Sequence, residues 1–150
     1  IEEGLSGDKT LRFIDSNVFL HAFLTPRREL TQDEAGVKEA SKAIVKGIEE
    51  GEEVAMTAVH LSEVVNIVES GLGLQRSLGL LAWTIAMDNI HIYPITMGEY
   101  EASLPIAKEN GISANDALAY LIMKDHELTG IYSFDKHFDQ FKDVQRIGSR

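Results

Sequence analysis

The chain has 150 residues, of which 44% are hydrophobic and 25% charged, a length and composition typical of one folded domain. Its 14 basic and 24 acidic residues give a formal net charge of −10, which argues against a broad basic surface for nucleic acid. The absence of cysteine excludes disulfides, thiolate metal sites and a cysteine nucleophile. The most apolar stretch, at residues 78–87, is shorter than a membrane span, and the first residues lack a signal-peptide core. We therefore expect a cytoplasmic protein that does not enter membranes.

Short apolar runs alternate along the chain with longer segments whose apolar residues recur at helical spacing. The short runs predict strands at residues 11–14, 54–56, 91–95, 131–134 and 144–147. The helical spacing predicts helices at residues 18–24, 33–50, 58–71, 74–88 and 98–110, another that begins after Ser113, and a short one after residue 134. Thr57 and Ser113 are expected helix caps, with Asp116 completing a capping box at Ser113. This alternation predicts an α/β fold, a three-layer α/β/α domain with a mostly parallel central sheet.

Several well-known catalytic and binding motifs are missing. The sequence has no triphosphate-binding loop, and the dinucleotide pattern that starts at Gly71 has Arg76 where its third glycine should stand. Ser133 and Lys136 match the S-x-x-K pattern of serine acylases, but they follow a strand and do not open a helix. The five histidines, at positions 21, 60, 91, 126 and 137, share no ligand-like spacing. We therefore expect no histidine in a metal site.

Four acidic residues stand beside apolar sequence, where a solvated surface is not expected: Asp15, Glu63, Asp116 and Asp135. The three aspartates lie at strand-to-helix or loop-to-helix junctions. In an open parallel sheet such junctions gather at the carboxyl ends of the strands, where ligands bind. The alternative is structural: each aspartate caps a helix, and Glu63 shares a polar helix face with His60 and Asn66.

A cluster of these acids would have a chemical consequence. Two carboxylates about 5 Å apart repel by roughly 3 kcal/mol at an effective dielectric of about 20. Clustered carboxylates therefore take up protons or bind cations. A ligand set made only of oxygen suits Mg²⁺ or Mn²⁺, and such ions in acidic pockets activate water for phosphodiester hydrolysis.

Four short motifs, in this order and spacing, resemble those of a PIN-domain ribonuclease: Asp15-Ser16-Asn17, Glu63, Asn115-Asp116-Ala117 and Ser133-Phe134-Asp135. The resemblance covers residues 11–147. It implies that Asp15, Glu63 and Asp116 are the main metal ligands and that Asp135 completes the catalytic pocket. It also implies that Asn17 and Ser133 position a carboxylate, a water or the substrate phosphate.

The resemblance further implies hydrolysis of single-stranded RNA with Mg²⁺ or Mn²⁺, either by a toxin of the VapC type with an antitoxin partner or by a related free-standing ribonuclease. The implied nuclease domain spans residues 11–150 and follows an N-terminal extension at 1–10. The apolar helix at 74–87 is a candidate surface for a homodimer. Asp139 is expected to be a solvated acid, although some family members carry an acid near that position. Candidate phosphate contacts, for each of which a solvated surface role is favoured, are Arg12, Arg27, Arg28, Lys136, Lys142, Arg146 and Arg150.

Two other classes of protein remain open from the sequence. One is a non-catalytic PIN-like module that binds RNA or protein, although such a module would not need a cluster of mutually repelling acids. The other is a phosphotransfer domain. A receiver domain would need a paired acid after the first strand, and a haloacid-dehalogenase-like phosphatase would need a second aspartate where Asn17 stands.

Overall fold

The computed structural model describes residues 11–148. The strands are β1 (Arg12–Ile14), β2 (Val54–Thr57), β3 (Ile90–Tyr93), β4 (Gly130–Tyr132) and β5 (Gln145–Ile147). The helices are α1 (Ser16–Phe23), α2 (Gln32–Glu49), α3 (Ala58–Leu72), α4 (Leu74–Ala86), α5 (Met97–Asn110), α6 (Ala114–Asp125) and a 3₁₀ helix (Lys136–Gln140). The predicted elements are confirmed in the predicted order, with ends that differ by a few residues. The predicted extension at 1–10 and Arg150 lie outside the described residues.

The five strands form one parallel sheet in the order β3-β2-β1-β4-β5. The chain starts at the central strand, adds β2 and β3 on one side, and then returns to add β4 and β5 on the other. Phe13 of β1 therefore lies between Ala55 of β2 and Ile131 of β4. The strand order reverses between β1 and β4, and the carboxyl ends of these two strands flank the crevice where such sheets bind ligands.

Successive strand residues point to opposite sides of the sheet, so both faces carry apolar side chains. Helices cover both of these faces. Ile14 and Tyr132 are fully buried on one face, in a core with residues of α1, α2 and α3. Phe13 and Ile131 are fully buried on the other face, against α6 and Phe138 of the 3₁₀ helix. The structure thus confirms the predicted three-layer α/β/α fold. Within residues 11–148, no helix has the length and apolar character needed to cross a membrane.

Two predicted helix caps lie near the carboxyl edge of the sheet. The Thr57 hydroxyl accepts a hydrogen bond from the backbone N–H of His60, and the Ser113 hydroxyl accepts one from the N–H of Asp116, at 3.1 Å each. The prediction of a complete capping box at Ser113 is wrong: among the described contacts, the Asp116 carboxylate makes no return bond to Ser113. That carboxylate is directed instead toward other charged groups at the carboxyl edge of the sheet.

Candidate active site

Asp15 occupies the position immediately after β1, and its side chain is held from the neighbouring strand. The Ser133 hydroxyl, immediately after β4, donates a hydrogen bond of 2.7 Å to Asp15 Oδ2. The backbone N–H of Asp15 also donates to the carbonyl of Tyr132, at 2.9 Å. Asp15 is only 4% exposed. It stands at the N-cap position of α1 without a capping hydrogen bond of standard geometry, although the backbone N–H of Asn17 contributes to lowering its pKa. A cap alone therefore does not account for the burial of Asp15 beside Ser133.

Glu63 lies in the second turn of α3 and is linked to Asp15 through Ser16. The Ser16 hydroxyl donates to Glu63 Oε1 at 2.7 Å and lies 3.4 Å from Asp15 Oδ1. The alternative places Glu63 on a polar helix face with His60 and Asn66; Asn66 is exposed, but His60 is 1% exposed and belongs to the interior. The sequence motif includes Ser16 but assigns it no role. Its position directly after Asp15 is the signal that could have indicated one.

Asp116 and Asp135 reach the same region from the other side of the strand switch. Asp135 precedes the 3₁₀ helix, and its backbone N–H donates to the Ser133 hydroxyl at 2.9 Å, so one serine contacts both Asp15 and Asp135. Asp116 is in the first turn of α6 and is within hydrogen-bonding reach of the Asp135 carboxylate. The four predicted acids therefore converge on one edge of the sheet.

His137 also lies in this cluster, a position that the spacing of the histidines does not predict. Its Nδ1 is 3.1 Å from Asp135 Oδ1 and 3.8 Å from Asp116 Oδ2. Ligand atoms of His137, Asp116 and Asp135 all fall within 4.8 Å of one another. Sequence spacing could not show the whole group, because Asp135 and His137 are neighbours in the chain but Asp116 joins them only through tertiary packing.

The environment of the cluster raises the pKa of two of its acids, Asp15 and Asp116. Burial raises the pKa of Asp15 from 3.8 to about 6, helped by the charges of Asp135 and Glu63 and opposed by the Ser133 hydrogen bond. Burial also raises the pKa of Asp116 to about 7, with further contributions from Asp15 and Asp135. Groups with such shifted pKa values in a crevice are typical of functional sites. A bound cation would relieve the same repulsion.

The donor set fits a small divalent cation. Carboxylate oxygens suit Mg²⁺ and Mn²⁺, and imidazole is a ligand that first-row transition ions accept more readily than Mg²⁺ does. Asn17 adds a further observation: its Oδ1 is buried and has no hydrogen-bond partner within residues 11–148. Asn17 is predicted to assist at this site. Its backbone N–H donates to the Asp15 carboxylate and lowers the pKa of that group, whereas the described contacts do not connect its side chain to the four acids.

His60, which the sequence analysis did not select, fixes the start of α6 from inside the core. Its Nε2 donates to the carbonyl of Asn115 at 2.9 Å, so its Nδ1 accepts from the Thr57 hydroxyl at 2.7 Å. Burial lowers the pKa of His60, which keeps the ring neutral in this arrangement. The residue after Asn115 is Asp116, so His60 connects the end of β2 to the residue beside an acid of the cluster.

Several of the candidate phosphate contacts are held in ion pairs. Arg28 pairs with Glu34 at 2.7 Å. Arg146 pairs with Asp139 at 2.9 Å, and the Asp139 side chain is 52% exposed. Asp139 thus contacts Arg146 at the surface, as a solvated acid would.

The sequence matches the family model of the PIN domain over residues 12–144. The fold and the acidic crevice agree with that match, and the chain belongs to the PIN domain family. A comparison with curated proteins gives no match.

Solved structures with the same fold include toxins of bacteria. VapC20 of Mycobacterium tuberculosis, described as a toxin that cleaves the sarcin–ricin loop, has a TM-score of 0.66 and 16% identity, covering 88% of this chain and 97% of its own. A toxin–antitoxin complex from Klebsiella pneumoniae has a TM-score of 0.59 and 17% identity, covering 89% and 95%. VapBC2 from Rickettsia felis, bound to a DNA fragment from its promoter, has a TM-score of 0.61 and 11% identity, covering 92% and 98%. At these identities the likeness establishes the fold.

Proposed function

We propose that the protein is a metal-dependent endoribonuclease that hydrolyses phosphodiester bonds of single-stranded RNA with Mg²⁺ or Mn²⁺. The observation that supports this most strongly is the convergence of Asp15, Glu63, Asp116 and Asp135 at the β1/β4 switch point. A structural role gives no reason to bury and crowd acids whose charges repel. Membership of the PIN family adds independent support.

In this proposal the chain's own residues act mainly by positioning. Asp15, Glu63, Asp116 and Asp135 hold the cation, which when bound supplies an activated water and stabilises the charge that develops on the phosphate oxygens. The Ser133 hydroxyl orients Asp15 by donating to its carboxylate, and it orients Asp135 by accepting a hydrogen bond from the Asp135 backbone N–H. Ser16 orients Glu63 in the same way.

Asn17 and Ser133 are the proposed substrate-side residues. Both have polar side chains that follow a strand of the switch point: Asn17 is three residues beyond the end of β1, and Ser133 is the residue directly after β4. The unpartnered Asn17 Oδ1 is an acceptor, so it would receive a hydrogen bond from a water or from a hydroxyl of the RNA. Ser133 already donates to Asp15, so its contribution to the substrate is through the orientation of that carboxylate.

We also propose that the nuclease domain spans residues 11–150 and that the protein is the toxin of a toxin–antitoxin pair. The similar folds of VapC20 and of the two toxin–antitoxin complexes support an antitoxin partner. A homodimer through α4 is proposed because Leu74, Leu78 and Ile85 are 54%, 48% and 66% exposed. Sedimentation analysis of the chain alone tests the homodimer, and co-purification with the product of an adjacent small reading frame tests the antitoxin.

The test of the activity compares the wild type with Asp116→Asn on end-labelled single-stranded RNA in Mn²⁺, in Mg²⁺ and in EDTA. We expect cleavage by the wild type only with metal, and a loss on the order of 100-fold or more in the variant, since removing even groups that merely support a metal ligand costs 10–100-fold. Asp88→Asn is the matched control, because Asp88 is an exposed aspartate in the turn before β3, at the opposite edge of the sheet. Far-UV circular dichroism checks that both variants fold.

Two outcomes would contradict the proposal. Cleavage that persists in EDTA would remove the metal from the reaction, and equal activity in Asp116→Asn would remove Asp116 from the site. RNA binding without cleavage by a metal-loaded wild type would favour the non-catalytic module. The same assay with single-stranded DNA determines whether the proposed preference for RNA holds.

A further inference from the structure

His137 is placed as if it were a member of the metal site, although it is neither an acid nor a residue that the sequence motifs include. Its Nδ1 faces Asp135 Oδ1 at 3.1 Å and Asp116 Oδ2 at 3.8 Å. An octahedral ion with ligands at about 2.1 Å separates neighbouring ligand atoms by about 3.0 Å and opposite ones by about 4.2 Å. The separation of 3.1 Å matches neighbouring ligands, and the separation of 3.8 Å falls between the two values. The three donor atoms lie within 4.8 Å of one another, so a shift of Asp116 would let one cation contact all three.

The position of His137 is set by the backbone and not by the exposed ring. Its N–H donates to Asp135 Oδ1 at 2.9 Å, and its carbonyl accepts from the Gln140 side chain at 2.8 Å. The next residue, Phe138, is completely buried in the core. The start of the 3₁₀ helix is thus anchored on both sides of His137, and a 57% exposed side chain is left beside the acids.

We propose that His137 Nδ1 is a direct ligand of the divalent cation, together with Asp116 and Asp135, and that it makes the site favour Mn²⁺ over Mg²⁺. The inference rests on the proposed metal-dependent function. Imidazole nitrogen suits first-row transition ions, whereas Mg²⁺ prefers oxygen and keeps its water. A nitrogen ligand therefore adds affinity for Mn²⁺ and adds little for Mg²⁺. Of the other histidines, His60 has both ring nitrogens engaged within the core.

The alternative role for His137 is that of a counter-cation. A protonated ring beside Asp135 would balance part of the negative charge of the cluster when no metal is bound. An incoming cation would then compete with the ring. In that case removing His137 would raise the affinity for Mn²⁺ and Mg²⁺ alike, which is the opposite of what a ligand requires.

The experiment uses the full chain, freed of metal and titrated with Mn²⁺ at pH 8, above the ordinary titration range of imidazole. Free Mn²⁺ is measured by electron paramagnetic resonance, and Mg²⁺ affinity by competition. Pulsed measurements on the Mn²⁺ complex detect the coupling of a coordinated ¹⁴N nucleus. We expect ¹⁴N coupling in the wild type and none in His137→Gln, with Mn²⁺ affinity lower by on the order of 10-fold or more and a much smaller change for Mg²⁺.

Two further variants separate ligation from folding. His137→Asp replaces the nitrogen with a carboxylate, so we expect it to bind metal without ¹⁴N coupling and to shift the preference toward Mg²⁺. His91→Gln is the matched control, since His91 is another exposed histidine that contacts a carboxylate, that of Glu53 at 2.6 Å. We expect it to bind Mn²⁺ and Mg²⁺ as the wild type does.

The outcomes distinguish failure of the His137 ligand from failure of the nuclease function. Tight Mn²⁺ binding without ¹⁴N coupling, or with coupling that persists in His137→Gln, overturns the inference and leaves the nuclease proposal intact. Equal or higher affinity for both ions in His137→Gln also overturns it, because a ligand cannot be removed without loss of affinity for the ion that it binds. Absence of Mn²⁺ binding and of RNA cleavage in the wild type overturns the nuclease proposal itself.

Discussion

Replacing Asp15 with asparagine should stabilise the metal-free protein, and by more as the pH rises. Burial and neighbouring charges raise the pKa of Asp15 from 3.8 to about 6. Between these two pH values the folded chain binds more protons at this position than the unfolded chain does, so the free energy of unfolding of the wild type falls as the pH rises. Asparagine carries no charge, so the variant lacks this loss.

The shift of about two pKa units corresponds to about 3 kcal/mol, at 1.36 kcal/mol per unit. The difference in free energy of unfolding, Asp15→Asn minus wild type, should therefore increase by up to about 3 kcal/mol between pH 4 and pH 8. For a chain of this length that corresponds to roughly 6–12 °C in melting temperature. Mn²⁺ should reverse the order at pH 8, because it binds the folded wild type more tightly than it binds the folded variant.

The assay is chemical or thermal unfolding in EDTA across this pH range, followed by the same series with Mn²⁺. The difference between the two proteins is the quantity to measure, because burial lowers the pKa of His60 and of His21 and gives each an opposite slope. These contributions occur in both proteins and cancel. Asp88→Asn is the control for loss of an exposed charge. If the difference in free energy of unfolding between Asp15→Asn and the wild type stays constant or falls as the pH rises, the buried Asp15 carboxylate does not destabilise the metal-free fold, and the reasoning is refuted.

Three further predictions follow from the same contacts. The Mn²⁺ affinity should increase as the pH rises through about 7, because the raised pKa of Asp116 means that the cation must displace a proton; calorimetry in buffers of different ionisation enthalpy should detect the release of that proton. His60→Ala should lower stability by about 1–3 kcal/mol in thermal unfolding, because it leaves the buried Thr57 hydroxyl without its acceptor, and should weaken Mn²⁺ binding because the hydrogen bond to Asn115 at the start of α6 is lost. Asp139→Asn should break the surface pair with Arg146 and leave the rate of RNA cleavage unchanged, and a loss of activity would place Asp139 in the site after all.

The parts of the fold that were predictable depend on local signals. Short apolar runs identified the buried strands, and apolar residues at helical spacing identified the helices. Thr57 was correctly expected to cap α3, because a hydroxyl at that position satisfies an N–H that the helix leaves free. The convergence of the acids was also predictable in outline, since the junctions at the carboxyl ends of parallel strands meet at one edge of the sheet.

The parts that were not predictable depend on side-chain direction. Ser113 and Asp116 have the spacing of a capping box, but the crowding of Asp116 with Asp135 and His137 replaces the expected local bond. The place of His137 depends on the 3₁₀ turn that follows Asp135 and on the burial of Phe138. Sequence spacing does not reveal these side-chain directions, because Asp116 is brought beside Asp135 and His137 only by tertiary packing.

The position of Asp15 is itself an argument for function. It follows Ile14 and precedes Ser16 and Val18, all of them buried, and its own exposure is 4%. Stability alone would favour a neutral residue there, since the carboxylate loses its hydration and gains only limited compensation from Ser133. Sites where a sequence departs from the rules of stable packing are those where function requires the departure. A cation bound between Asp15 and its acidic neighbours converts that repulsion into binding energy, so the same residues that weaken the metal-free fold would strengthen the loaded one.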